Sequence, residues 1–311
     1  MGRSVADKTF FSRAPTMMPP LTHASPLQQP PVVLTLAGSD SSGGAGLQAD
    51  LKTFEALRCY GASVVTCTTA QNTHTVRDIF PISDSHFAHQ LDCVLEDLPI
   101  TAIKIGMLYQ PSLMHITYQR LRHLRGVAII VDPVMISKSQ VSLLPPSAHE
   151  ALLEWIVPLA TFLTPNLPEA LALTGKQQPL ASLDAGRITD LARALQLPGM
   201  HILIKGGHHP AAEKEGNVKD YFLTSENHAH WLQGKWIKSS NTHGTGCTLS
   251  SAIAALTAHG YTALNAVVDA KKYVELALIQ SAQWKLGRGC GPLGHAQAAR
   301  AFWSPKSANP A

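Results

Sequence analysis

The sequence predicts an α/β fold in which a mostly parallel central sheet lies between layers of helices. Three observations carry this reading: short apolar, β-branched runs recur from residue 32 onward, stretches with helical spacing separate them, and glycine-rich or polar signatures follow the runs. With 311 residues, 45% hydrophobic and 15% charged, the chain has enough apolar material for a sizeable core in one large domain or two smaller ones.

The first 30 residues are rich in Pro, Ser and Thr and lack sustained periodicity, so they read as a mobile extension. Arg3, Lys8 and Arg13 against Asp7 make only a weak targeting signal, no apolar core for a secretory signal is present, and Met17 and Met18 are alternative starts. From residue 32 the runs "VVLTLAG" (32–38), "ASVVTCTTA" (62–70), "ITAIKIGML" (100–108), "GVAIIVDPV" (126–134), "TFLTPN" (161–166) and "HILIKGG" (201–207) read as buried strands. Between them, Leu47, Leu51, Phe54 and Leu57, then Phe87, Leu91, Val94 and Leu98, repeat at helical spacing. "DYFLTS" (220–225) and "AHWLQG" (229–234) sit close enough to form an antiparallel pair at the sheet edge, and two helices follow at about 245–259 and 262–285. No repeat or linker appears after residue 31, which predicts an extension (1–31), one domain (32–300) and a short tail (301–311).

The net charge of +4 comes from scattered Lys and Arg with no basic block interleaved with aromatics, which gives nucleic-acid binding little support. No run of about 18 apolar residues suggests a membrane span. Five widely spaced cysteines, Cys59, Cys67, Cys93, Cys247 and Cys290, form no C-x-x-C pair and read as reduced thiols of a cytoplasmic protein. None of the 15 histidines forms an H-x-x-x-H pair beside acids, so zinc is not expected.

In an open parallel sheet, ligands bind beyond the carboxyl ends of the strands, and several unusual residues fall there. "GSDSSGGAGLQAD" (38–50) lacks the G-K-[ST] ending of a phosphate loop, and no acid follows the second strand as a dinucleotide site requires; that strand ends in Gln71. The stretch is either a flexible turn or a close-fitting loop over a small ligand, with Asp40 or Asp50 supplying a carboxylate. Asp132, directly after "GVAIIV", is a turn acid or a site for magnesium or phosphate chemistry. Asn166 and Glu169 in "TPNLPEA" share that ambiguity, since an acid in a helix's first turn is favoured by the macrodipole without any ligand. Lys205 in "KGGHH" ends a strand, either as a plain turn or within reach of phosphate oxygens. The most specific stretch is "NTHGTGCT" (241–248): Gly244 and Gly246 permit successive N–H groups to face an anion at a helix start. Cys247 would lie in that helix's first turn, as a small apolar residue or as a thiol whose pKa the dipole and nearby cations lower towards use as a general base.

Taken in order, "AGSDSSGGAGLQADLKTFEALRCYG", "TAQNTHTV", "KIGML", "VDPVM", "LTPNLPEA", "KGGH", "NTHGTGCTLS" and "GRGCGPLGH" resemble the hydroxymethylpyrimidine and phosphomethylpyrimidine kinases of thiamine biosynthesis, within the ribokinase-like superfamily. The resemblance covers roughly residues 32 to 296. It implies a ribokinase-like three-layer α/β/α sandwich, ATP and Mg2+, a small-molecule pyrimidine substrate and a homodimer. It further implies transfer of the ATP γ-phosphate to 4-amino-5-hydroxymethyl-2-methylpyrimidine and then to its monophosphate. By the same resemblance Cys247 is the base, where the wider superfamily has Asp, and Gly244, Thr245 and Gly246 form the anion hole. Gln71 faces the pyrimidine edge, with Gly38, Asp50 and Met107 completing its pocket. Asp132 and Glu169 attend the metal, while Lys205, Thr242, Asn166 and Lys271 contact the nucleotide, with Lys272 a register-shifted rival to Lys271. Thr75 stands where relatives often carry glycine. A pyridoxal or pyridoxine kinase, or a dual-specificity enzyme, is the alternative on the same fold, and a non-catalytic pyrimidine-binding regulator would need a damaged phosphate site.

Overall fold

The computed structural model describes residues 29–135 and 146–304. Nine strands, β1 (Val32–Asp40), β2 (Tyr60–Gln71), β3 (Val76–Pro81), β4 (Ile100–Ile105), β5 (Ala128–Val131), β6 (Phe162–Leu163), β7 (His201–Ile204), β8 (Asn217–Leu223) and β9 (Ala229–Lys235), form one sheet in the order β3-β2-β1-β4-β5-β6-β7-β8-β9. β1, β2, β4, β5, β6 and β7 run parallel; β3 at one edge and β8 and β9 at the other pair antiparallel. The helices are α1 (Gly46–Ala56), α2 (Asp84–Asp97), α3 (Pro111–Leu121), α4 (Pro146–Ala151), α5 (Leu167–Leu173), α6 (Ala185–Leu195), α7 (Ala211–Glu215), α8 (Thr245–Ala258), α9 (Ala263–Ser281) and α10 (His295–Trp303).

Period-two alternation divides the parallel strands between two cores. Leu34, Leu36, Val64, Ile103 and Ile105 face one side and pack against Phe87 and Leu91 of α2 and Leu113 of α3. Val33, Ala102, Ile130, Phe162 and Leu203 face the other and meet Phe54 of α1, Ile253 of α8 and Tyr273 of α9. Fully burying each leucine or isoleucine is worth roughly 1.5–3 kcal/mol, so both helical layers are held by the sheet. The expected three-layer sandwich is therefore present.

The local differences have simple causes. β3 escaped the strand pattern because "VRDIFP" is half exposed and its alternation is broken by charged residues; it is nevertheless the return arm of a hairpin with β2. β6 is only two residues long, since Pro165 lacks the N–H that would extend the ladder. α10 runs across the expected boundary at residue 300, and the Trp303 indole N–H donates to the Ala56 carbonyl at 3.1 Å, tying the helix to α1.

Strand order reverses between β1 and β4: the chain leaves β1 to one side for β2 and β3, then crosses to the other for β4 and its successors. Such a reversal opens a crevice at the carboxyl ends of the two strands.

Candidate active site

A cleft of about 520 Å³ occupies that crevice and extends along the carboxyl ends of the sheet towards β8 and β9. Gly38 and Met107 line it from β1 and the loop after β4, Gln71 from the end of β2, Asp132, Asn166 and Lys205 from the loops after β5, β6 and β7, and Glu169 from the first turn of α5. Thr242, Gly244, Thr245, Gly246 and Cys247 enter from the loop and first turn of α8, and Lys271 from α9. At Gly38 a Cβ would come within 2.7 Å of Met107 Cε and 2.8 Å of Cys67 Sγ, so a side chain there would displace both.

At the polar centre, Lys205 Nζ donates to Asp132 Oδ1 at 2.7 Å and lies 3.9 Å from Glu169 Oε2. Burial alone would pull the Lys205 ammonium down, but Asp132 and Glu169 hold it above the usual lysine range. Burial pushes the Glu169 carboxyl up, Lys205 opposes this, and Asp132 adds to it. One lysine thus faces two acids, and the arrangement has room for further positive charge. Asn166 and Glu169 also form a reciprocal cap of α5: Glu169 N–H donates to Asn166 Oδ1 at 2.9 Å, and Asn166 N–H to Glu169 Oε2 at 2.7 Å. Among the described residues no three His, Cys, Asp or Glu side chains form a protein-only metal cluster.

Gly244 caps α8 in the left-handed region, φ 82°, where a Cβ would run into the Gly44 carbonyl. Two residues on, Gly246 is bare towards Lys205 and Asp132, for a Cβ there would lie 3.4 Å from Lys205 Nζ. The Thr245 N–H donates to the Thr242 carbonyl at 3.3 Å, and the next amides of the helix start, which have no carbonyl one turn back in the helix, open onto the same space as the lysine, which suits an anion.

Cys247 lies on the cleft floor, partly open to it, and the Gly46 N–H of α1 points at its sulfur. Contrary to the lowered pKa expected of a first-turn thiol, burial pushes Cys247 up to about 11, and the nearby Lys104 only partly opposes this. The helix dipole does not outweigh desolvation here. Asp50 also departs from expectation. It is not part of the cleft lining; its carboxylate is fully buried and accepts from Lys104 Nζ at 2.8 Å, Thr35 Oγ1 at 2.7 Å and Ser251 Oγ at 2.7 Å. The reason is the helical phase: Asp50 is on the face of α1 turned to the sheet, and Lys104, itself fully buried, borders the cleft in its place.

At the other end of the cleft, Gln71 is fixed by its surroundings. Its backbone N–H donates to Ser41 Oγ at 2.8 Å, its side-chain amide lies 3.2 Å from His243 Nε2 and 3.3 Å from Thr69 Oγ1, and His243 Nε2 lies 2.8 Å from Asp40 Oδ2. Asp40 organises the glycine loop before α1, accepting from the amides of Ser42, Gly44 and Ala45 at 2.8, 3.0 and 2.9 Å. Burial pushes the Asp40 carboxyl up, but hydrogen bonds from His243 and Ser42 outweigh it and hold it down to about 2. A strap at residues 287–292 joins the tip of the β2–β3 hairpin to the loop before α8. Cys290 N–H donates to the Thr73 carbonyl at 2.9 Å, Gly289 N–H to Thr73 Oγ1 at 3.1 Å, and His243 N–H to the Gly291 carbonyl at 3.0 Å.

The sequence pattern of a family described as phosphomethylpyrimidine kinase matches residues 40–294. The hydroxymethylpyrimidine/phosphomethylpyrimidine kinase of Rhizobium meliloti is 42% identical over 265 residues, covering 85% of this chain and 96% of that protein. The chain belongs to the phosphomethylpyrimidine kinase family. Among solved structures, the phosphomethylpyrimidine kinase of Clostridium difficile 630 superposes with a TM-score of 0.69 at 38% identity, over 80% of this chain and 99% of that one. The pyridoxal kinase of Staphylococcus aureus in complex with ADP superposes with a TM-score of 0.76 at 32% identity, over 87% and 95% of the two chains.

Within this phosphomethylpyrimidine kinase fold the two neighbouring lysines of α9 face different ways. Lys271 turns into the cleft and pairs with Asp220, whereas Lys272 Nζ sits 5.6 Å from the Phe302 ring centroid, away from it. Asp220 also accepts the Gly206 N–H at 2.7 Å, so β8, α9 and the loop after β7 meet there. Lys104 and His243 also border the cleft, and no sequence motif singles them out. A lysine inside the apolar run "ITAIKIGML" was the available signal for the first, and position beside Gly244 for the second.

Proposed function

We propose that this protein transfers the γ-phosphate of ATP to the 5-hydroxymethyl group of 4-amino-5-hydroxymethyl-2-methylpyrimidine and then to the resulting monophosphate, in thiamine biosynthesis. The observation that carries this reading is one cleft holding an anion-binding helix start, a lysine and a thiol at one end and a fixed carboxamide at the other. A carboxamide offers both donor and acceptor, as an aminopyrimidine edge requires.

In this reading the amides of Gly244, Thr245 and Gly246 and the Lys205 ammonium neutralise the transferring phosphoryl group. Thr242, Asn166 and Lys271 position the nucleotide, and Gly38 and Met107 flank the ring. Cys247 takes the hydroxyl proton at Sγ as the thiolate and is left as the thiol. Burial makes that thiolate scarce near neutral pH, and a small population serves because a loose phosphoryl-transfer transition state demands little of the base and much of charge neutralisation. Magnesium fits the donor set: it takes one or two carboxylates with phosphate oxygens and waters, and Asp132 and Glu169 present two carboxylates against a single lysine. These two residues would hold it, and it would supply positive charge to the phosphates.

The superposition on a pyridoxal kinase favours a second reading, in which a pyridine bearing a hydroxymethyl group is also accepted. Purified protein with ATP and magnesium, assayed on both rings, tests the pair. The expected outcome is a kcat/KM at least tenfold higher for the pyrimidine, and a higher value for pyridoxal would overturn the assignment. A cytoplasmic homodimer belongs to the same proposal. Tyr60 and Phe80, large and exposed on β2 and β3, are apolar groups a second copy could cover, and light scattering reads the mass directly.

A further inference from the structure

We propose that His243, held by Asp40, is a positioning residue that fixes which way round the Gln71 carboxamide faces the substrate, and thereby selects a 4-amino over a 4-oxo ring. The inference rests on the pyrimidine-kinase reading and deepens it.

Hydrogen-bond logic at Gln71 carries the inference. Asp40 Oδ2, 2.8 Å from His243 Nε2, is a carboxylate oxygen and can only accept, so His243 Nε2 carries a hydrogen. That N–H also faces the Gln71 amide at 3.2 Å, and two N–H groups cannot bond one another. The carboxamide must therefore turn its oxygen to His243, a half-turn that exchanges two groups of nearly equal size. On the other side, Thr69 has a single hydroxyl hydrogen, which the Ser39 carbonyl takes at 3.0 Å. Thr69 Oγ1 is then an acceptor towards Gln71, 3.3 Å away, and receives one hydrogen of the NH2 group. Both neighbours demand the same orientation.

One carbonyl lone pair and one N–H of Gln71 remain for the substrate, in a fixed order: acceptor on the His243 side, donor on the Thr69 side. A 4-aminopyrimidine matches this order by giving its amine to the carbonyl and accepting at ring N3. The amine end of the ring then lies towards His243, one residue before the Gly244 cap of α8. The 5-hydroxymethyl group is ortho to the amine, so the same orientation carries it towards Cys247. Reversal of the carboxamide would lead it away. A 4-oxo ring, with N3–H and C4=O, has donor and acceptor exchanged and meets Gln71 with both bonds mismatched.

The test is calorimetric Kd for 5-hydroxymethyl-2-methylpyrimidine carrying a 4-amino or a 4-oxo group, without nucleotide. Wild type is expected to prefer the amino ring by about 100-fold, from two mismatched hydrogen bonds. His243→Phe keeps the ring but removes the N–H, leaving the carboxamide free to turn, and should reduce the preference to about tenfold or less. His243→Gln restores an N–H donor and should recover most of it. Thr69→Val, which leaves His243 in place, should lower it about threefold and serves if His243→Phe fails to fold. An unchanged ratio in His243→Phe, or in Thr69→Val where that variant alone folds, overturns the proposal. So does a wild type that binds both rings equally. A wild type that binds neither ring overturns the substrate reading itself and this inference with it.

Discussion

Lys104 has no exposed surface in the middle of a parallel sheet, and its charge is met by Asp50 at 2.8 Å. Removing one partner of such a pair leaves an uncompensated buried charge, so Lys104→Met should destabilise the fold by about 3–5 kcal/mol. The double variant Lys104→Met, Asp50→Asn should regain most of that loss, and urea melts of the two compare them directly. Equal losses would show that shape, and not charge, dominates. At the cleft surface, Cys247→Ala should retain pyrimidine binding while turnover falls by about 100- to 10,000-fold. Calorimetry and an ADP-release assay separate the two effects, and unchanged turnover would refute the base assignment.

The start of α8 depends on a residue that can adopt φ 82° beneath the Gly44 carbonyl. Gly244→Ala adds both left-handed strain, about 1–2 kcal/mol, and a steric conflict with the loop before α1. The expected result is a fall of at least tenfold in kcat/KM for ATP with the far-ultraviolet spectrum intact. This element was legible in the sequence because glycine, threonine and cysteine at fixed spacing act through their own backbone. The strand-end carboxylates and Lys205 were legible for a similar reason: polar residues at the ends of apolar runs have few places to go. Asp50 was not, because spacing alone does not tell which face of a short helix turns to the sheet. Lys104 and His243 act through partners 54 and 203 positions away, Asp50 and Asp40, and no local pattern announces such pairs.

Across the whole molecule, burial shifts several thiols in one direction. Cys59 is pushed up from 9.0 to about 12, and Cys67 and Cys247 from 9.0 to about 11. Between pH 9 and 11 the unfolded chain releases protons that the native chain keeps, so the stability these groups contribute is complete below pH 9 and lost as pH rises through the window. Thermal melts at pH 8, 9.5 and 11 should show a falling Tm, with a shallower fall in Cys59→Ala and Cys67→Ala than their midpoint loss at pH 8 explains. Parallel curves in the variants would rule the thiols out. The strap at 287–292 bears on the order of synthesis. Its bonds to Thr73 span 216 positions, and ribosomes deliver residues at about 5–20 per second. The strands and most helices can assemble while the chain is still emerging, but the hairpin beside Gln71 acquires its anchor only once residues 287–292 follow, after every strand of the sheet. A nascent kinase would therefore be folded before it is competent.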